Sequence, residues 1–228
     1  MTYAGMQGTG PGEIAPDGSA VEFYAALPPD AGGAELVHGA LPAGTAILEL
    51  GAGAGHVTRP LAALGHPVTA VDESAAMLAR IDGTAEGVRT VRSPIEELRL
   101  PERFGCVLMM SYLVNYGDRR ALLDACRRHV APGGLVVVQR ETEAWHAADA
   151  PRAWSHDGVD YLLRDVGRPE PEVMTGTLEY RMGERTWTHT FRSRRLADAD
   201  VPAVLGASGL VLDRFLDADG AWIAARPV

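Results

Sequence analysis

Three glycines and two acids in this 228-residue chain have a spacing that is typical of ligand binding. Gly51, Gly53 and Gly55 alternate with alanines, and such a run lets a ligand lie directly against the main chain because no side chain blocks its approach. Glu49 precedes the run by two residues, and Asp72 follows Gly51 by 21. An acid at that distance, at the tip of the next parallel strand, can accept hydrogen bonds from ribose hydroxyls. The pattern therefore predicts a nucleoside-binding site.

The segments around these residues must hold them at one edge of a sheet. Residues 46–50 predict a short buried strand, residues 57–64 a helix, and residues 68–72 a second strand that ends on Asp72. Further strands are predicted at residues 88–92, 104–111 and 135–139, with helices at residues 75–81 and from Asp118 to about residue 130. Strands and helices that alternate at this spacing predict an α/β fold with a doubly wound, mostly parallel sheet.

The flanking segments have less regular patterns. The prediction is one domain over residues 1–228, made of an N-terminal cap (1–45), a core (46–140), a lid with a hairpin (141–195), and a C-terminal helix with an antiparallel hairpin (196–228). Residues 1–17 predict a loop, and residues 141–170 predict an irregular lid. Helices are expected at residues 33–41 and 20–27. The latter is interpreted either as a cap over the site or as a packing helix.

Composition favours a small-molecule partner. The formal net charge is −9, all 21 basic residues are arginine, and this balance disfavours nucleic acid and anionic membranes as partners. Residues 1–18 show no signal-peptide pattern and no apolar run is long enough for a membrane helix, so a cytoplasmic location is expected. The two cysteines and seven histidines show no metal-ligand spacing, so no metal is predicted. The oligomeric state is left open.

Five pieces of the chain, in order, resemble the class I S-adenosylmethionine (SAM) dependent methyltransferases. They are the run Glu49-x-Gly51-x-Gly53-x-Gly55, the acid Asp72, the segment 93–98, the strand 104–111 and the turn Pro132-Gly133-Gly134 before a strand. The resemblance implies a seven-stranded Rossmann-like sheet with an antiparallel strand near the C-terminus, and SAM as the cofactor.

The resemblance also implies roles for individual residues. Gly51, Gly53 and Gly55 would pass close to the methionyl part and the ribose of SAM. Glu49 would hold the turn and contact the amino group through water, and Asp72 would accept the two ribose hydroxyls. The remaining implied contacts to the adenine and methionine ends come from Glu73, Met77, Ile95, Met110 and Ser111.

One position departs from the family pattern. Many relatives carry an acid where Pro94 stands, and that acid accepts a hydrogen bond from the adenine amine. Proline cannot accept this bond through its side chain, so Glu96 is the predicted substitute.

The sequence assigns no catalytic base. Methyl transfer from a sulfonium requires alignment above all, so an amine or an acidic hydroxyl needs little acid–base assistance, whereas an unactivated hydroxyl needs a base. The side chains predicted near the site that are able to act as a base are Tyr116, Glu141, His146 and His189. Trp145, Trp154 and Trp187 are predicted to pack rather than to stack on a substrate.

These features predict a SAM-dependent methyltransferase that acts on an oxygen or a nitrogen of a small molecule. One alternative is a non-methylating protein of the same fold, either a ligand-binding module or an enzyme that uses the cofactor structurally. Another is an NAD(P)-dependent oxidoreductase. The second alternative is disfavoured because His56 stands where a GxGxxG fingerprint has its last glycine.

Overall fold

The computed structural model describes residues 5–81 and 86–228, so the first four residues of the predicted N-terminal loop lie outside it. The strands are β1 (Gln7–Thr9), β2 (Ile47–Leu50), β3 (Val68–Asp72), β4 (Val88–Arg92), β5 (Phe104–Met109), β6 (Val130–Gln139), β7 (Arg152–His156), β8 (Val159–Glu170), β9 (Val173–Met182), β10 (Arg185–Arg194), β11 (Leu210–Phe215) and β12 (Trp222–Pro227). The helices are α1 (Val21–Ala26), α2 (Ala31–Gly39), α3 (Thr58–Ala63), α4 (Ala75–Leu78), α5 (Leu113–Tyr116), α6 (Arg119–His129), α7 (Glu143–His146) and α8 (Val201–Ala207). Single turns of 3-10 helix lie at Ile95–Glu97 and Asp198–Asp200.

The larger sheet has seven strands in the order β11-β12-β6-β5-β2-β3-β4. The pairs β6/β5, β5/β2, β2/β3 and β3/β4 are parallel, whereas β12 runs antiparallel to both of its neighbours. The predicted α/β class, with a mostly parallel Rossmann-like sheet and an antiparallel C-terminal strand, is confirmed.

Strand β2 lies between β5 and β3 in the interior of this sheet and is buried on both faces. Leu48 and Leu50 belong to one apolar core, which includes residues of α6 and α8. Ile47 belongs to the other core, which includes residues of α2 and α3. Successive side chains of a strand point to opposite faces, so a strand between two helical layers is apolar throughout. Glu49 is therefore an exception within this strand.

A second sheet of five antiparallel strands has the order β1-β10-β9-β8-β7. The predicted hairpin over residues 175–192 is present as β9 and β10. The prediction of an irregular segment over residues 141–170 was wrong, because β7 and β8 form a hairpin there. Its turn has Asp157 at φ 51° and Gly158 at φ 76°, the positive angles of a two-residue hairpin turn.

Two interruptions in β8 concealed it from pattern analysis. Its register with β9 shifts between Arg164 and Gly167 and again between Gly167 and Glu170, and each shift breaks the alternation of polar and apolar residues. The short β1 falls in the predicted loop and pairs with β10. The second sheet thus combines strands from the predicted cap and lid, and the division of the chain into those regions stays a prediction.

Helix α1 packs between the two sheets. Phe23 stacks on Tyr180 of β9, with ring centroids 4.4 Å apart, and lies 5.4 Å from the ring of Trp187. Val21 packs in a separate cluster with Met77, on the side of the larger sheet. Both interpretations of this segment therefore apply, since α1 fills the core of the second sheet and also closes the space between the sheets.

Several predicted element ends shift. The helix predicted over residues 75–81 ends at Leu78, and β6 begins at Val130 rather than at residue 135. Val130 pairs with Phe104, and Leu135 pairs with Cys106. The register shift between these two pairs accommodates the residues Pro132-Gly133-Gly134 within β6. Among the described residues, no helix is long and apolar enough to cross a membrane. The cytoplasmic location stays a prediction.

Candidate active site

A cavity of about 930 Å³ opens where the parallel strands end. Gly51, Asp72, Ser93, Met110 and Gln139 follow or end five successive parallel strands, and all of them line it. Open α/β sheets bind ligands at this edge. The opposite wall consists of residues from α1 and the second sheet, namely Phe23, Tyr24, Tyr161, Leu178, Tyr180, His189 and Phe191.

The glycine turn forms one end of this cavity. Gly51, Gly53 and Gly55 have φ values of 73°, 54° and 85°, which side chains rarely adopt. A Cβ at Gly51 would lie 2.4 Å from Leu113 Cδ1, while a Cβ at Gly53 would meet open space. Gly51 and Gly53 line the cavity. Gly55 does not line the cavity. A Cβ at Gly55 would lie 2.8 Å from Ile81 Cγ1, so Gly55 forms the turn rather than the wall.

Asp72 joins the glycine turn to the end of β3. Its Oδ2 accepts a hydrogen bond from Gly53 N at 2.9 Å, and its Oδ1 accepts one from Ser74 N at 2.8 Å. Burial raises the pKa of this carboxyl, and the two backbone donors oppose that rise. Each oxygen keeps a further lone pair, and the side chain lines the cavity.

Glu49 is a carboxyl with only 2% of its surface exposed. Thr58 Oγ1, in the first turn of α3, donates a hydrogen bond to Glu49 Oε2 at 2.6 Å. Burial raises the pKa of Glu49 to about 7, and nearby Asp72 adds to the rise. The side chain lines the cavity, so a cationic ligand group beside it would favour the ionised form.

The raised pKa of Glu49 predicts that stability falls as the pH rises. In the folded chain the pKa is about 7 rather than 4.5, so folding favours the protonated form. Its stabilising contribution is complete below pH 4.5 and is lost as the pH rises through 7. Thermal unfolding of the ligand-free protein should show a larger drop in Tm over this window for wild type than for Glu49→Gln. Parallel curves for the two proteins would contradict the assignment.

Most of the residues predicted to contact the adenine and methionine ends of SAM line the cavity. Glu73, Met77 and Ile95 line the cavity next to Pro94, and Met110 and Ser111 line it at the end of β5. Glu96 is not part of the wall. It lies in the 3-10 turn, where its main-chain carbonyl accepts hydrogen bonds from the Arg99 and Arg128 side chains. The geometry therefore does not support Glu96 as the substitute for the acid missing at Pro94.

The turn after β5 has an unusual backbone. Ser111 and Tyr112 have φ values of 56° and 58°, and two consecutive non-glycine residues in this region cost about 1–3 kcal/mol each. Ser111 N donates to Gln139 Oε1 at 3.0 Å, which ties the turn to the end of β6. Strained backbone of this kind concentrates at binding sites. Sequence reasoning missed this feature, because no residue type marks it.

Three of the four candidate bases form one cluster. Tyr116 Oη donates to Glu141 Oε1 at 2.5 Å, and His146 Nε2 lies 2.8 Å from Glu141 Oε2, which also accepts a hydrogen bond from Ser193. Glu141 N donates to Asn115 Oδ1 at 2.9 Å. Tyr116 and Glu141 line the cavity, while His146 does not and supports Glu141 from outside the wall. Burial, and then Glu141, raise the pKa of Tyr116 well above its ordinary value.

The fourth candidate, His189, lies elsewhere on the cavity wall. Its Nε2 is 3.1 Å from the carbonyl oxygen of Asp17. Burial lowers the pKa of His189, so its imidazole is neutral at pH 7. It forms no contact with the Glu141 cluster among the hydrogen bonds of the described residues.

Sequence reasoning missed part of the wall. Asp17, Tyr24 and Tyr180 line the cavity, and burial raises the pKa of Tyr24 to about 12. Trp145 and Trp154 also line it, whereas Trp187 is fully buried. Trp145 and Trp154 also pack, edge to face with each other at 6.1 Å and against the core cluster that contains Phe191, as predicted. Only the aromatic character of residues 24 and 180 signalled this wall, because nothing local shows that α1 and β9 meet.

His56 connects the cap to the glycine turn. Its Nδ1 lies 2.9 Å from the carbonyl oxygen of Pro28, and its Nε2 lies 2.5 Å from that of Tyr24. The residue that replaces the last glycine of a dinucleotide fingerprint therefore anchors the segment after α1 over the cavity. Across residues 5–81 and 86–228, no group of three or more potential ligands is arranged to hold a metal ion.

Comparison with known proteins gives one consistent result. Residues 47–134 match the family model described as a methyltransferase domain. The ubiquinone biosynthesis O-methyltransferase of a Bradyrhizobium strain is 34% identical over 129 residues, which cover 55% of this chain and 49% of that protein. The chain thus spans about half the length of the curated relatives it matches.

Solved structures match over most of the chain. The CcbJ methyltransferase from Streptomyces caelestis has a TM-score of 0.70 at 24% identity, covering 90% of this chain and 92% of that one. The glycopeptide N-methyltransferase MtfA, complexed with SAM, has a TM-score of 0.62 at 26% identity, covering 88% of this chain and 95% of that one. Residues 47–134 thus match a methyltransferase domain, and the fold over most of the chain is shared with solved methyltransferases, one of them complexed with SAM.

Proposed function

We propose that this protein transfers a methyl group from SAM to a small molecule. One observation carries the proposal: a single cavity joins the glycine turn and Asp72 at one end to the Tyr116–Glu141 pair at the other. Its volume of about 930 Å³ lies at the upper end of the range for ligand pockets, so it has room for a donor and an acceptor together.

The residues present fit SAM, the cofactor of this family. At Gly53 a Cβ would point into open space, so the backbone is accessible to a ligand there. Asp72 is held by two backbone donors and keeps acceptor capacity for ribose hydroxyls. Glu49 offers a buried carboxyl for a cationic amino group. When bound, SAM supplies an electrophilic methyl group on a sulfonium.

We further propose that the methyl acceptor is a nitrogen. None of the 21 arginines lines the cavity, whereas Asp17, Glu141 and Asp157 do. The carboxylates attract a cation, and a lining without arginine among the described residues does not favour an anionic acceptor.

The relatives support a nitrogen acceptor in the region beyond the core. The sequence match to the O-methyltransferase relative covers 55% of this chain, and the structural match to the N-methyltransferase MtfA covers 88% of it. An amine that arrives protonated must lose a proton before it attacks the methyl group. The Tyr116 hydroxyl donates a hydrogen bond to Glu141, so its oxygen is free to accept a hydrogen bond from the N–H of the amine. As Tyr116 takes the proton of the amine, it can pass its hydroxyl proton to the Glu141 carboxylate.

Calorimetry and a matched substrate panel test these proposals separately. SAM and S-adenosylhomocysteine should each bind the wild-type protein with one site. The protein should then release S-adenosylhomocysteine when it is supplied with amines, but not with alcohols of the same skeleton, such as cyclohexylamine against cyclohexanol. No binding of either cofactor form would refute the methyltransferase. Turnover of alcohols alone would refute the nitrogen acceptor, and binding without turnover of any pair would favour a non-methylating protein.

His56→Ala is expected to weaken the binding of S-adenosylhomocysteine by about 0.5–1.5 kcal/mol, the net value of one hydrogen bond. The reason is that the ring anchors the cap segment through the carbonyls of Tyr24 and Pro28. Calorimetric titration measures the effect. His38→Ala is the matched control, because His38 pairs with His66 away from the cavity. Equal affinities of the two variants would argue against the anchoring role.

A further inference from the structure

A second cavity, of about 560 Å³, lies where α6 begins and β10 ends. Four of the 21 arginines line it, namely Arg119, Arg120, Arg192 and Arg194. This concentration is unexpected in a chain with a formal net charge of −9. Tyr116 lines both this cavity and the larger one, so the two cavities share a wall.

Two elements bring the arginines together. Arg192 and Arg194 are two residues apart on β10 and therefore project from the same face, opposite to the buried Ser193 that contacts Glu141. Arg119 and Arg120 form the first turn of α6, an 11-residue helix whose N-cap is Asp118. The first backbone N–H groups of a helix have no partner within the helix and carry a partial positive charge.

The positive charge is only partly neutralised. Arg120 pairs with Asp124 at 2.9 Å, and Arg192 pairs with Glu170 at 2.5 Å. Within the described parts of the chain, neither Arg119 nor Arg194 forms an ion pair with a carboxylate. Arg119 instead donates to the carbonyl oxygens of Val114 and Arg194 at 3.0 Å.

Two acids oppose this charge. The carboxylate of Asp118 is engaged as the cap, where it accepts a hydrogen bond from Ala121 N at 3.1 Å. Asp200 faces Arg119 and favours its charged form. With Asp124 and Glu170, four carboxylates lie near these arginines, but among the described residues that line the cavity Asp118 is the one acid against four arginines.

We propose that this second cavity binds an oxyanion, either a free phosphate or sulfate ion or the phosphoryl or sulfuryl group of a larger ligand. Guanidinium groups donate paired N–H groups that match such oxyanions, and a helix N-terminus adds further donors. Four aliphatic residues, namely Val114, Leu123, Val204 and Ala207, also line the cavity. A ligand with a charged head and a less polar body fits such a wall.

The oxyanion site is connected to the Glu141 cluster through Asn115. Asn115 Nδ2 donates to the carbonyl oxygen of Arg194 at 2.9 Å, and its Oδ1 accepts a hydrogen bond from Glu141 N at 2.9 Å. Asn115 also lines the second cavity. Arg194, which would contact the anion, is therefore linked through the Asn115 side chain to Glu141, the candidate base.

Calorimetric titration with pyrophosphate, at constant ionic strength set with chloride, tests the site in the full chain. We expect one binding site, with affinity reduced about tenfold or more in Arg194→Gln and in Arg120→Gln, both exposed positions. Arg103→Gln, an exposed arginine at the amino end of β5, should bind as wild type does. Unchanged binding of S-adenosylhomocysteine by the variants verifies that they are folded.

Two further arms identify the source of the oxyanion. Tighter binding of glucose 6-phosphate than of inorganic phosphate would support a group carried by a larger ligand, and equal binding would support a free ion. The proposal fails if pyrophosphate does not bind below about 10 mM, a Kd that would correspond to less than about 3 kcal/mol. It also fails if all variants bind alike, or if S-adenosylhomocysteine displaces pyrophosphate, because the anion would then occupy the larger cavity. Each of these outcomes leaves the proposed methyl transfer unaffected.

Discussion

Replacement of Asp72 by alanine is expected to weaken the binding of S-adenosylhomocysteine by about 1.5–3 kcal/mol, or roughly 10- to 150-fold in Kd. This is the range for hydrogen bonds to a charged group, and we propose that the carboxylate of Asp72, which lines the cavity, accepts the ribose hydroxyls. The substitution also leaves Gly53 N and Ser74 N without their acceptor, which loosens the glycine turn. Isothermal titration calorimetry of both proteins at pH 7.5 measures the change.

Asp72→Asn removes the charge but only part of the backbone contacts. Asparagine keeps an acceptor oxygen for one of the two N–H groups, those of Gly53 and Ser74, so its affinity should lie between wild type and Asp72→Ala. Asp213→Ala, which removes an acid that pairs with Arg214 and Arg226 on the surface, should leave the affinity unchanged. Retention of wild-type affinity by Asp72→Ala would exclude this residue from the cofactor site.

Glu141→Gln is expected to lower the rate of amine methylation by about 10²- to 10⁴-fold, the usual contribution of a positioned acid–base group. The glutamine amide cannot take the proton that Tyr116 would pass on, although its size matches the glutamate in a buried site. The binding of S-adenosylhomocysteine should remain close to that of wild type, because Glu141 lies at the other end of the cavity. Single-turnover measurements across pH 6 to 9 separate the chemical step from binding.

Two substitutions control for structural effects at Glu141. Glu143→Gln removes a nearby exposed carboxylate, which pairs with Arg195 at 3.4 Å, and should be silent. Tyr116→Phe keeps the ring and removes the hydroxyl, so its rate should fall together with that of Glu141→Gln. A raised KM with unchanged kcat in Glu141→Gln would show that this residue binds the acceptor without transferring a proton.

The part of the cavity formed by the glycine turn and Asp72 was predictable because the residue types that indicate it are close together in the chain. Gly51, Gly53 and Asp72 belong to one strand–turn–helix–strand unit, in which each residue type reports a backbone angle or a strand end directly. The order of the parallel strands then follows from short right-handed connections. Even within this part, two predicted contacts do not line the cavity: Gly55, which the family resemblance implies, and Glu96, the predicted substitute at the position that departs from the family.

The second sheet was not predictable in the same way. Strand β8 lost its alternation to register shifts against β9, and β1 is three residues long and pairs with a strand about 180 residues later. Strand propensity depends strongly on cross-strand neighbours, so a strand whose partner is unknown gives a weak signal. The same limit concealed Tyr24 and Tyr180, which share one wall of the cavity and a side-chain hydrogen bond only because α1 packs on β9.

The sequence by itself therefore determined the match to a methyltransferase domain, the parallel sheet and the part of the cavity formed by the glycine turn and Asp72, because those features depend on residues close together in the chain. Tertiary structure decided the acceptor half. Tyr116 and Glu141 are 25 positions apart, and Ser193 is 52 positions beyond Glu141, yet their hydrogen bonds converge on one buried carboxylate. A long-range cluster of this kind has no sequence period, since packing of the second sheet against the first brings its members together.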